Sequence, residues 1–224
     1  APATTFSGKV AAPKSSSPSP PSSSEIQVNV VCNGKCKVHG VDNIGTVPAA
    51  LMTYLARSEL AEPKVDLVIS AGTAGGFKAR GAEIGDVFCA TAFANHDRRI
   101  PLPKFDDYGT WKSDAHPAPQ MTKALDLKSG PVSTGNSLDW HDLDMRSMSS
   151  SAAVVKDMEA SGVAWACSLH GVPLVALKSV TDIVDGGKPA EEEFLANLEK
   201  ASEALHFALK GALEFVVGKS VDEL

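Results

Sequence analysis

From Glu25 to the C terminus, short apolar runs ending in glycine or polar residues alternate with helical patterns, and this alternation narrows the possible folds more than any other property of the chain. Ile26, Val28, Val30 and Val31 follow the period of two of a strand. A helical stretch opens at Asn43-Ile-Gly-Thr-Val-Pro-Ala-Ala-Leu and runs to about Leu60, with Pro48 in its first turn, where a missing N–H is tolerated. Val65-Asp-Leu-Val-Ile-Ser-Ala is a short apolar run closed by Gly72-Thr-Ala-Gly-Gly-Phe. Val87 to Phe93 is another strand candidate, and Val132-Ser-Thr-Gly-Asn-Ser ends a further one. Residues 96–125, rich in proline and polar groups, read as a long functional loop. A helix near Met158–Leu169 precedes a buried strand from Val172 to Val180. In the closing helix Phe194, Leu195, Leu198, Ala201, Leu205, Ala208, Leu209, Ala212, Leu213 and Val216 recur at three- and four-residue steps, an apolar stripe facing a core. Strands alternating with helices predict an α/β layered domain.

Residues 1–24 break this pattern. They are dominated by Ser, Pro and Ala, and their only charged side chains are Lys9 and Lys14. Such a composition buries too little apolar surface to repay its ordering entropy, which predicts a disordered tail or the remnant of an organelle transit peptide. Residues 25–224 then form one domain, in keeping with about 100–200 residues per domain. With 21 Lys+Arg against 27 Asp+Glu the net charge is −6. A chain without a basic patch is poorly suited to bind nucleic acid or an anionic membrane. No apolar run approaches the ~18 residues of a membrane span. Cys32, Cys36, Cys89 and Cys167 make no disulfide framework. Cys32 and Cys36 have the spacing of half a zinc site, but no second Cys or His pair completes it, so no metal is expected. Reduced thiols suit the cytosol or a plastid.

Three segments carry residues suited to chemistry. Gly72–Gly76 follows an apolar strand, where glycines allow a sharp turn and close approach of a ligand; a purely structural turn accounts for it equally well. It is neither a P-loop nor a dinucleotide fingerprint. Asp182 stands just past the carboxyl end of an apolar strand, where ligands bind in open α/β sheets. A partly buried carboxyl there is suited to act as a general acid, although spacing alone slightly favours a cap of the turn or of the following helix. Glu159 sits at the head of a small-residue helix. An acid there serves the helix dipole, or accepts hydrogen bonds from paired sugar hydroxyls while Met158 packs on a ribose face.

Taken together, Gly72-Thr-Ala-Gly-Gly-Phe, Ser133-Thr-Gly-Asn-Ser-Leu, Lys156-Asp-Met-Glu-Ala and Ser179-Val-Thr-Asp-Ile-Val-Asp-Gly occur in the order of the nucleoside phosphorylase superfamily. Val41-Asp-Asn-Ile-Gly-Thr-Val-Pro-Ala-Ala-Leu and His96-Asp-Arg-Arg-Ile-Pro-Leu-Pro resemble its plant-type 5′-methylthioadenosine nucleosidases, which also bear on S-adenosylhomocysteine. The resemblance covers about residues 26–217. It implies a three-layer α/β/α fold with a central mixed sheet, a homodimer, a small nucleoside as substrate and no cofactor. It also implies hydrolysis of the N-glycosidic bond of methylthioadenosine to adenine and methylthioribose in methionine salvage. On the family pattern Asp182 protonates adenine N7, Glu159 binds the ribose hydroxyls and Met158 packs on the sugar. Thr73, Ala74 and Gly75 lie near the water and ribose, Leu138 lies against the purine, and Phe194 lines the 5′-alkylthio pocket. Ile100 and Phe105 correspond to residues a partner subunit lends to that pocket.

The chain departs from the family in one respect above others. Family members open with an apolar strand and an Ala-Met-x-x-Glu-like turn whose Glu activates water, and these 224 residues contain no counterpart. Two expectations follow: either the sequence is a fragment of an active nucleosidase, or the protein has lost its first strand and general base and is a non-catalytic nucleoside-binding or storage-like relative. Asn136 and Gly187 stand where relatives commonly carry Asp.

Overall fold

The computed structural model describes residues 4–11, 25–60 and 64–224. The first two strands, β1 (Thr4–Ala11) and β2 (Glu25–Cys32), form an antiparallel hairpin in full register, from Thr4 against Cys32 to Ala11 against Glu25. The expectation of a disordered tail over 1–24 therefore fails at Thr4–Ala11; residues 1–3 and 12–24 lie outside the described residues. Thr4, Thr5, Phe6 and Val10 have the β-branched and aromatic character of a strand, and β2 supplies a ladder that composition alone does not reveal.

A six-stranded mixed sheet forms the centre. Its strands are β3 (Val68–Gly76), β4 (Val87–Asn95), β5 (Ser113–Asp114), β6 (Lys128–Thr134), β7 (Val155–Asp157) and β8 (Leu174–Ile183). Their order is β5-β4-β6-β7-β3-β8, and β4 also pairs antiparallel with β8, so the sheet curls back on itself. β3 and β8 run parallel to each other, as β4, β6 and β7 do among themselves. β8 is buried along nearly its whole length, which explains the apolar run Leu174–Leu177 at its start.

Helices α1 (Thr46–Glu59), α5 (Ala160–His170) and α6 (Ala190–Val216) pack outside this sheet. The layered α/β expectation with a central mixed sheet is met. On α6 the buried positions are Ala201, Ala208 and Ala212, whereas Leu195 and Leu198 of the expected stripe face solvent. The small residues of α5 let it sink between α1 and the sheet, with Ala160–Ala164, Ala166 and Cys167 buried. Residues 96–125 are more ordered than a loop: they contain α2 (Phe105–Thr110), β5 and α3 (Pro119–Ala124). Helix α4 (Asp142–Ser150) is closed by a capping box in which His141 accepts from Leu143 N and Asp144 accepts from His141 N. Among the described residues no helix is long and apolar enough to cross a membrane.

Candidate active site

Residues paired across neighbouring strands project to the same side of a sheet. Strands β6, β7, β3 and β8 thereby align Ser133, Lys156, Gly75 and Asp182 in one row. Asp182 is only 5% exposed. It fits because its neighbour has no side chain: a Cβ on Gly75 would lie 2.6 Å from Asp182 Oδ2 and 2.8 Å from Val184 Cγ2. The Thr181 hydroxyl donates to Asp182 Oδ1 at 2.7 Å. Burial pushes the Asp182 carboxyl above the usual range and the Glu193 charge adds to this, against the opposing pull of the Thr181 hydroxyl and the Lys156 cation. Helix α6 locks the segment from outside. Glu193 accepts from Ile183 N at 2.8 Å, and Asn197 Nδ2 donates to Thr181 O at 3.1 Å. Half-buried Phe194 stands in that same helical turn.

A second charged cluster borders the other end of the glycine segment. Asp157, buried on β7, accepts from Thr134 Oγ1 at 2.6 Å and Ala160 N at 2.7 Å, and pairs with Lys178 Nζ at 2.8 Å. Lys178 Nζ lies 3.3 Å from where a Cβ on Gly72 would stand. Glu159, at the head of α5, accepts from Gly45 N at 3.0 Å, just before α1 begins. Its carboxyl is raised by burial and by the Asp157 charge, with Lys178 and the Gly45 N–H pulling the other way. Thr73 and Ala74 therefore run between the two clusters, with Asp182 against Gly75 and Lys178 against Gly72. Met158 is half-buried between Asp157 and Glu159.

The segment 135–140 closes a third side. Lys156 Nζ donates to Ser137 O at 2.7 Å and Leu138 O at 2.8 Å. Trp140 Nε1 donates to Val184 O, just past Asp182, at 3.2 Å. Asn136 donates to Asp97 Oδ2 through its backbone N and its side-chain amide, and accepts from Thr46 N and Oγ1. An aspartate here would set a second carboxylate against Asp97, so the amide is the form suited to this geometry. Buried His96 lies beneath Gly135, its Nδ1 3.1 Å from Ser133 Oγ. The Leu138 side chain is 42% exposed.

Along the end of β3, Gly75 meets Asp182 and Gly72 meets Lys178; Glu159 and Met158 follow Asp157, the partner of Lys178, Leu138 is held through its carbonyl by Lys156, and Phe194 follows Glu193, which accepts from Ile183 N. Ile100 and Phe105 are the residues expected from a partner subunit; Phe105 is 50% exposed and its ring meets the edge of Tyr108, 6.1 Å between centroids. The sequence reading missed Lys156, Lys178, Asp157 and Gly45 as site residues. A lysine inside the apolar run Val175-Ala-Leu-Lys-Ser-Val is itself a signal, since a cation there needs a buried counter-charge. Among the described residues no group of His, Cys, Asp and Glu is arranged to hold a metal ion.

Comparison with known proteins agrees with this architecture. A family model for the phosphorylase superfamily matches residues 23–214. A 5′-methylthioadenosine/S-adenosylhomocysteine nucleosidase of Arabidopsis thaliana is 44% identical over 200 residues, spanning 89% of this chain and 78% of the relative. A 5′-methylthioadenosine nucleosidase of the same plant is 44% identical over 200 residues, covering 89% of this chain and 74% of that protein. The apo structure of an Arabidopsis thaliana 5′-methylthioadenosine nucleosidase superposes with a TM-score of 0.86 at 44% identity, covering 88% of this chain and 80% of that one.

Proposed function

The chain belongs to the phosphorylase superfamily and, within it, to the 5′-methylthioadenosine nucleosidases, and from that premise we propose that it hydrolyses the N-glycosidic bond of 5′-methylthioadenosine, with S-adenosylhomocysteine as a second substrate. In this reaction the C1′–N9 bond breaks and its electron pair leaves with the base. Water adds to C1′ to give adenine and methylthioribose. The transition state is oxocarbenium-like, so catalysis needs a proton for the base and a grip on the cationic sugar. Asp182 is the proton donor to adenine N7 in this reading. Its raised carboxyl, held against the bare backbone of Gly75, is the observation that carries the proposal. Glu159 takes the ribose hydroxyls and Met158 the sugar face. The backbone of Thr73–Gly75 borders water and ribose, Leu138 covers the purine, and Phe194 lines the 5′ side.

The proposal extends to a homodimer. On α1 the side chains of Val47, Leu51 and Leu55, one helical face, are exposed beside Tyr54, and α5 adds exposed Trp165 and Leu169. A contiguous apolar face of this kind marks an interaction surface. It fits a second copy that completes the pocket with its own Ile100 and Phe105.

The alternative reading is that the chain binds the nucleoside without turnover. The deciding experiment incubates the protein with methylthioadenosine, with and without phosphate, and follows adenine by chromatography beside calorimetric binding. Adenine released equally in both buffers is the expected result. Binding without release establishes the second reading, and phosphate-dependent release establishes phosphorolysis.

A further inference from the structure

Lys156 is a buried cation of the site that neither family resemblance nor sequence spacing assigns to the chemistry. It is 5% exposed, and a lysine is rarely so buried unless its ammonium is satisfied. Of the three N–H donors of an ammonium, two are spent on successive carbonyls, Ser137 O at 2.7 Å and Leu138 O at 2.8 Å. Both carbonyls belong to the segment whose backbone would face the purine. The residue also stands in the cross-strand row of Asp182, with only Gly75 between them. We propose that Lys156 is a positioning residue for glycosidic cleavage: it fixes the backbone of Ser137–Leu138 against the base while its charge faces the Asp182 carboxyl, so that one group aligns purine and acid. This rests on the hydrolytic reading.

Burial lowers the Lys156 ammonium below its usual range, while Asp182, Asp139, Asp157 and Asp144 favour its charged form. Asp182 is opposed by Glu193, bonded to the Thr181 hydroxyl and attracted by Lys156. His96, lowered mainly by burial, also lies within reach of the Lys156 charge. Removing that cation takes away stabilisation of the Asp182 carboxylate, so Asp182 holds its proton to higher pH. It also releases two charge-assisted hydrogen bonds from the base-facing backbone.

The test compares wild type with Lys156→Met, Lys156→Gln and Lys156→Arg, reading kcat, KM and the pH profile for methylthioadenosine, and adenine affinity by calorimetry. For Lys156→Met we expect KM to rise about tenfold or more, the scale of losing hydrogen bonds from a charged donor, and the alkaline limb of kcat/KM to move to higher pH. Lys156→Arg keeps the limb in place. Lys156→Gln, which retains a donor without charge, shows the same upward limb shift with a smaller rise in KM, and it decides the matter if the Met variant does not fold. A folded variant lacking the charge, with unchanged KM or an unmoved limb, overturns the proposal. Adenine affinity separates the two levels: a wild type that releases no adenine defeats the hydrolytic reading, whereas equal adenine affinity in folded wild type and Lys156→Gln defeats the role of Lys156.

Discussion

At Gly75 the space that a side chain would fill belongs to Asp182, and the acid is buried because the backbone beside it is bare. Burial raises the Asp182 and Glu159 carboxyls, and the sign of the pH effect follows. An acid with a raised folded-state value favours folding while protonated and loses that contribution as pH climbs through the folded value. Asp182→Asn removes the donatable proton but keeps the shape, so kcat should fall about 10²–10⁴-fold. Urea denaturation above the folded value should show the variant at least as stable as wild type, because the buried charge is gone. Lower stability together with preserved turnover would contradict both assignments. At this scale the sequence was legible where chemistry is local. Asp182 and Glu159 stand out by residue type and position, whereas the Asp157–Lys178 pair forms only when β7 and β8 come together, a proximity that chain spacing does not encode.

Among the elements, the contact of α1 with α5 governs the site. A Cβ on Gly162 would lie 2.5 Å from Thr46 O, at the first turn of α1. The residue before that turn, Gly45, donates to Glu159. Gly162→Ala should therefore pry the helices apart, costing about 1–3 kcal/mol in a denaturant titration, the usual scale of overpacking. It should also raise KM through Glu159, which an effect confined to stability would leave alone. Helix α5 was readable from its run of small residues and β8 from the apolar residues that lead it, Leu174 to Leu177. Strand β1 was not, because Thr, Ser and Gly within a Ser/Pro-rich stretch look unstructured until β2 supplies their hydrogen-bond partners. The short α2 and α3 were hidden by the prolines around them, although Pro119 serves at the start of α3, where the missing N–H is harmless.

For the whole molecule, the proposed dimer can be checked by sedimentation velocity. Leu51, 53% exposed on α1, is the residue to change: Leu51→Glu should shift a dimer to monomer while circular dichroism stays unchanged, and a wild type that sediments as a monomer would remove the proposal. Strand order was the least legible property, since pairing such as β3 with β8 joins segments that are distant in sequence. The pairing of β4 with β6 on one side and β8 on the other has a mechanical consequence. β3, β4, β6, β7 and β8 form a hoop, and no stave can be pulled from it without severing ladders on two flanks. The β1–β2 hairpin is bonded in no such hoop. The molecule therefore divides into a part that opens only as a unit and an appendage that can fray while the pocket stays assembled.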